Sequence, residues 1–131
     1  MRRWFVLGLL LCAIACSDDE GVGASTTTGP YALRTVNGAA LPFTISSGTD
    51  AGVVIVDDVI TLYQGSTFAS TRRYRATAGG PIETRNETGN YTLFGTSITF
   101  RVNETGLSKL AIGDGTRMTF TEQGLTLVYS K

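Results

Sequence analysis

The chain has 131 residues, with 11 basic and 11 acidic side chains, two cysteines and no histidine. Those counts exclude Ser-His-Asp and Cys-His catalysis and imidazole metal ligation, and the balanced charge offers no basic field to nucleic acid or anionic lipid. No Gly-x-Ser-x-Gly elbow or phosphate-binding glycine-rich loop is present, so neither an enzyme nor a cofactor- or metal-dependent protein is expected.

The chain opens with Met-Arg-Arg and an uncharged run, "WFVLGLLLCAIA" (Trp4–Ala15). A positive start and an apolar stretch of this length predict a signal peptide over 1–15; the run falls short of the roughly 20 residues a transmembrane helix needs. Ala13-Ile14-Ala15 places small residues ahead of Cys16. A small residue directly before a cysteine at the end of such a run resembles the bacterial lipobox. The resemblance implies cleavage before Cys16 and acylation there, with membrane attachment through the lipid. Ala-Ile-Ala also suits an ordinary signal peptidase, so a plain secreted chain is the alternative. Cysteine arithmetic fits the anchor: once Cys12 is removed with the signal, Cys16 has no disulfide partner, and acylation disposes of its free thiol.

"SDDEGVGASTTTG" follows. It is acidic, then rich in Gly, Ser and Thr, with little to bury, and residues 16–29 are predicted to be a flexible tether reaching roughly 20 Å. Ser17 after the cysteine resembles the enterobacterial pattern that sorts lipoproteins to the outer membrane. Setting aside Arg2 and Arg3, the remaining charge is −2.

Residues 30–131 are one domain's worth of chain, enough to bury a core without disulfides. No apolar stripe at helical spacing occurs. Short runs rich in Thr, Val, Ile, Tyr and Phe are broken by Gly, Asn and Asp, which is strand composition with turn punctuation. "YALRTV" ends at Asn37-Gly38, a strong hairpin signal. "LPFTI" follows, with Pro42 favouring an edge or strand start. "GVVIV" and "VITLY" are read as strands joined by a tight turn at Asp57-Asp58. "TFASTRRYRAT" alternates, "IETRNET" is polar on both faces, and "NYTLF", "SITFRV", "LSKLAI", "TRMTFT" and "LTLVYS" complete the set. About eight to ten strands with short connections predict an all-β, antiparallel up-and-down barrel, closure being the solution that removes exposed edges. A two-layer β-sandwich is the alternative.

Candidate site residues are few. Glu83, Arg85 and Glu87 share one face of a strand, but their polar neighbours Thr84, Asn86 and Thr88 read as a solvated hairpin rather than a catalytic pair. Asp57-Asp58 and Asp114 supply too few ligands for calcium and suit turn chemistry. Asn86, Asn90 and Asn103 begin Asn-x-Thr sequences, which read as hairpin chemistry in a bacterial chain. In "STRRYRA", alternation sets Phe68, Ser70, Arg72 and Tyr74 on one face and Arg73 and Arg75 on the other. If the Phe68 face is internal, Arg72 needs a partner: an Asp or Glu of the chain, water at the barrel mouth, or an anionic ligand. Arg72 and Tyr74 are therefore the candidate ligand-binding residues.

"YALRTVNGAALPF", "YQGSTFASTRRYR", "GNYTLFGTSITF" and "LTLVYSK" together resemble small bacterial lipocalin-like lipoproteins. That resemblance spans nearly the whole domain and implies a β-barrel with no catalytic residue. Two functions follow as expectations for a lipid-anchored protein of the bacterial cell envelope, its outer membrane included. One is a non-catalytic interaction or structural module with an envelope protein as partner. The other is a binder of a small apolar ligand inside the barrel. A cavity of roughly 300 Å³ or more separates the second from the first.

Overall fold

The computed structural model describes residues 27–131. The expected signal peptide, the lipid-attachment residue Cys16 and all but the last three tether residues lie outside the described residues. Ten strands form: β1 (Gly29–Val36), β2 (Ala39–Ala40), β3 (Phe43–Thr44), β4 (Val54–Leu62), β5 (Thr67–Arg75), β6 (Glu83–Phe94), β7 (Ser97–Val102), β8 (Ser108–Gly113), β9 (Arg117–Glu122) and β10 (Leu125–Ser130). From β4 to β10 each strand pairs antiparallel with the next, and β1 pairs with both β10 and β4. Eight strands thus close into an up-and-down barrel, and the sandwich alternative is set aside. The dipeptide strands β2 and β3 flank the ring, on β1 and β4 respectively.

Closure follows from alternation. Tyr31, Leu33, Ile60, Leu62, Phe68, Tyr91, Ile98, Phe100, Met118, Phe120, Leu127 and Tyr129 are buried and form one cluster. A row of rings runs through it: Phe68 meets Phe100 edge-on at 5.0 Å, Phe100 lies 5.2 Å from Phe120, and Phe120 meets Tyr129 edge-on at 5.4 Å. Such contacts contribute about 0.5–1.5 kcal/mol each beyond the area they bury. Asn37 and Gly38 turn with φ of 51° and 77°, the positive pair required by the tightest hairpins, and the Asn37 side chain accepts from the Thr126 amide at 2.8 Å.

Two sequence expectations are corrected. Asp57-Asp58 is no turn. β4 runs straight through it, because each carboxylate meets an arginine directly opposite on β5: Asp57 pairs with Arg73 and Asp58 with Arg72. The register shifts by one residue between Ile55 and Asp57. This bulge resets the alternation, so Asp58 points inward in phase with Ile60 and Leu62. The runs around Glu83–Thr88 and Asn90–Phe94 are likewise one 12-residue strand. Gly89, between them, is no breaker; it is an inward position where a Cβ would lie 1.9 Å from the Arg101 carbonyl and 2.8 Å from the Phe68 ring. Its missing side chain lets β6 and β7 approach beneath Phe68.

The two ends of the barrel differ. The start of β1 faces the end of β4, Gly29 opposite Leu62, and this end also carries the β4–β5, β6–β7 and β8–β9 turns. It is closed. The Tyr31 hydroxyl lies 2.6 Å from the Thr27 carbonyl and 3.0 Å from that of Gly115, and the Tyr91 hydroxyl donates to the Tyr63 carbonyl at 2.9 Å. The opposite end, with the loops after β3, β5, β7 and β9, is open.

Candidate functional site

The open end leads into a cavity of about 550 Å³. Its lower wall is apolar, from Ile60, Phe68, Phe100, Phe120 and Leu127. Above this lies a belt of charged side chains from five strands. Each belongs to an inward alternation: Asp58 with Ile60 on β4, Arg72 with Phe68 on β5, Glu87 with Gly89 on β6, Lys109 with Ala111 on β8, and Glu122 with Phe120 on β9.

The belt is a chain of ion pairs. Arg72 Nε donates to Asp58 Oδ2 at 2.7 Å, and the Tyr129 hydroxyl donates to the same oxygen at 2.8 Å. Arg72 Nη2 approaches Glu122 Oε2 at 3.9 Å. Lys109 Nζ lies 3.5 Å from Glu122 and 2.7 Å from Glu87, which Arg85 meets at 3.2 Å. Three cations and three anions alternate, so the belt compensates its own charge.

Asp58 is the deepest member, 3% exposed. Burial pushes its carboxyl above the ordinary range, outweighing the pull of Arg72 and Tyr129 in the other direction. Burial opposes the charge on Arg72 too, but Asp58, Tyr129 and Glu122 overcome it and keep the guanidinium protonated. Burial, followed by the neighbouring Asp58, lifts Tyr129 well above 10. Both donors to Asp58 converge on Oδ2, and Oδ1 is buried with no hydrogen-bond partner. An acceptor left in that state is costly.

Of the residues singled out from sequence, Arg72 is internal and its partner is an aspartate of the same chain. Tyr74 sits at the cavity rim, its hydroxyl held by Glu83. Both line the same cavity. Arg85 and Glu87 belong to the belt, so that half of β6 is more than a solvated hairpin. Asp114 is consumed by its own turn, accepting from the Thr116 and Arg117 amides at 2.9 and 2.8 Å. Sequence reasoning missed Asp58, Tyr129, Lys109 and Glu122 as site residues. For the last three the signal was present: a polar group two residues along the strand from Leu127, Ala111 or Phe120, on the same inward face.

Chemically, the arrangement sets a compensated belt of charge above an apolar wall. Its carboxylates are engaged by cations, it has no thiol or imidazole, and among the described residues no three metal-ligating side chains gather around one point. Comparison with known proteins returns no match to a family model, a curated protein or a solved structure.

Proposed function

We propose that this chain is a non-catalytic, lipocalin-like binder of one small amphiphilic molecule, held at the bacterial cell envelope by a lipid on Cys16. The observation that carries the reading is the cavity of about 550 Å³, within the roughly 300–1,000 Å³ of small-molecule sites. An eight-stranded barrel is just wide enough for one such ligand. The apolar wall suits a hydrocarbon or aromatic body. The belt suits a polar head, and the free Asp58 Oδ1 favours a head that donates a hydrogen bond, a hydroxyl or a protonated amine. A solid-cored interaction module requires a filled lumen, and the cavity weighs against it. The sequence features at Ala13–Cys16 support the anchor.

Titration of the purified chain with N-phenyl-1-naphthylamine, an amphiphile that fluoresces in apolar surroundings, tests the reading. Saturable enhancement is expected, and Ser70→Trp, which fills the lumen from its wall, abolishes it. Enhancement that never saturates, or that survives Ser70→Trp unchanged in a folded protein, overturns the proposal.

A further inference from the structure

We infer that the closed end of the barrel is a bilayer-contacting face, set against the membrane that carries the anchor and turning the cavity mouth towards water. The inference rests on the Cys16 anchor proposed above and adds an orientation to it.

Three observations converge on this end. The described chain begins here: Thr27 is tied to the closed end through the Tyr31 hydroxyl, and Cys16 lies only eleven residues earlier in the sequence. An anchor on a lead with a reach of roughly 20 Å favours this end over the mouth as the one nearer the lipid, without fixing it there.

The same end also exposes large apolar side chains. Phe94, at the tip of the β6–β7 hairpin, is 89% exposed, with Leu93 at 38% beside it. Ile112, at the end of β8, is 53% exposed. Phe94 and Ile112 both lie opposite Ser97 on β7, whose small side chain leaves the two free to form one surface. Tyr63, 49% exposed, stands at the β4–β5 turn of this end. Ile82 and Leu107 are exposed at the mouth and Leu110 on the wall, but Phe94, Leu93 and Ile112 adjoin one another, and adjoining exposed apolar groups mark a surface that meets something apolar.

Finally, among the described residues the charge at this end is confined to Asp114 and the cations Arg117 and Lys131. The turns at 64–66 and 95–96 contain no ionisable residue, and the Asp114 carboxylate is already engaged by its own turn. The cations suit an anionic headgroup rather than oppose it, and apolar burial carries the contact. A ring or branched aliphatic chain at the headgroup boundary gains what burial of its area is worth, and a tether makes that gain intramolecular.

The test uses the full chain, processed in a bacterial host and reconstituted into vesicles of phosphatidylethanolamine and phosphatidylglycerol doped with brominated phosphatidylcholine, a short-range quencher of tryptophan. Phe94→Trp reports on the closed end, Leu107→Trp on the mouth, and the parent chain supplies the background of any retained Trp4. Both positions are well exposed, so neither substitution disturbs the core. We expect the Phe94→Trp signal to be lost to quenching and the Leu107→Trp signal to be retained, at low and high salt alike. Co-sedimentation with unquenched emission at both positions overturns the orientation while the anchor stands. Quenching at both positions, or self-association that shields position 94, also overturns it. Failure to co-sediment overturns the anchor reading and this inference with it.

Discussion

Arg72 and Glu122 meet across the lumen, 3.9 Å apart, although β5 and β9 stand four places from each other in the eight-strand ring. Contact between opposite walls makes the belt a crossbar, with Arg72 held at its other side by Asp58.

That geometry assigns unequal weights to the two carboxylates. Arg72→Met strands Asp58 in the interior without its cation, and a loss of about 3–5 kcal/mol is expected. Glu122→Gln leaves the Arg72–Asp58 pair in place and costs about 1 kcal/mol or less. Urea denaturation of both variants reads the difference. Equal losses would show that the belt acts as one unit instead of through its buried pair.

Asp57 provides a control one residue away. It pairs with Arg73 on the outer surface, the side chains 36% and 50% exposed. The arginine holds the Asp57 carboxyl below its ordinary range, yet water screens the pair. Asp57→Asn is expected to cost under about 1 kcal/mol, and less in high salt. A larger cost, independent of salt, would contradict the assignment of Asp57 to the outside.

Tyr129 makes stability depend on alkaline pH. Folded, it keeps its proton well above the ordinary value of 10.0, whereas the unfolded chain releases it there. The unfolded state then binds fewer protons, so this contribution is complete below pH 10 and declines as pH rises towards the folded value. Tyr129→Phe, less stable at neutral pH for want of the bond to Asp58, is expected to lose less on alkalinisation than the parent. Denaturation midpoints followed through pH 10 decide it, and parallel slopes would refute the assignment.

Gly89 is predicted to tolerate no side chain. A Cβ there meets backbone, the Arg101 carbonyl at 1.9 Å, which cannot swing away as a side chain would. Gly89→Ala is expected to destabilise by more than about 2 kcal/mol or to prevent folding. Gly95→Ala, at a turn with open space around it, isolates the smaller cost of a positive φ. Comparable losses at the two sites would mean that β6 and β7 are not so closely packed.

Much of the barrel was legible because alternation and turn chemistry act locally. Asn37-Gly38 announces its hairpin, and Phe68, Phe100 and Phe120 declare their faces. The bulge in β4 was not legible. Asp57-Asp58 is a good turn sequence in isolation, and only the two arginines facing it across the sheet keep it extended. That is a tertiary decision overriding a local one, and it also hid Asp58, since a one-residue slip sends every following side chain to the other face. Gly89 misled for a related reason: its glycine serves a close approach between strands, which resembles a break when the neighbouring strand is unknown. Arg72 was identified, but its partner lay behind the bulge.

The seam between β1 and β10 joins the first strand of the barrel to the last. No nascent chain can close it until Ser130 is available, so a ribosome or secretion channel releasing the protein from its N-terminus meets an unfinished sheet throughout. Until then β1 offers an unpaired edge to any neighbouring chain. A product truncated before Leu125, and so lacking β10, would keep that edge permanently, and aggregation rather than partial activity is the fate such a fragment invites.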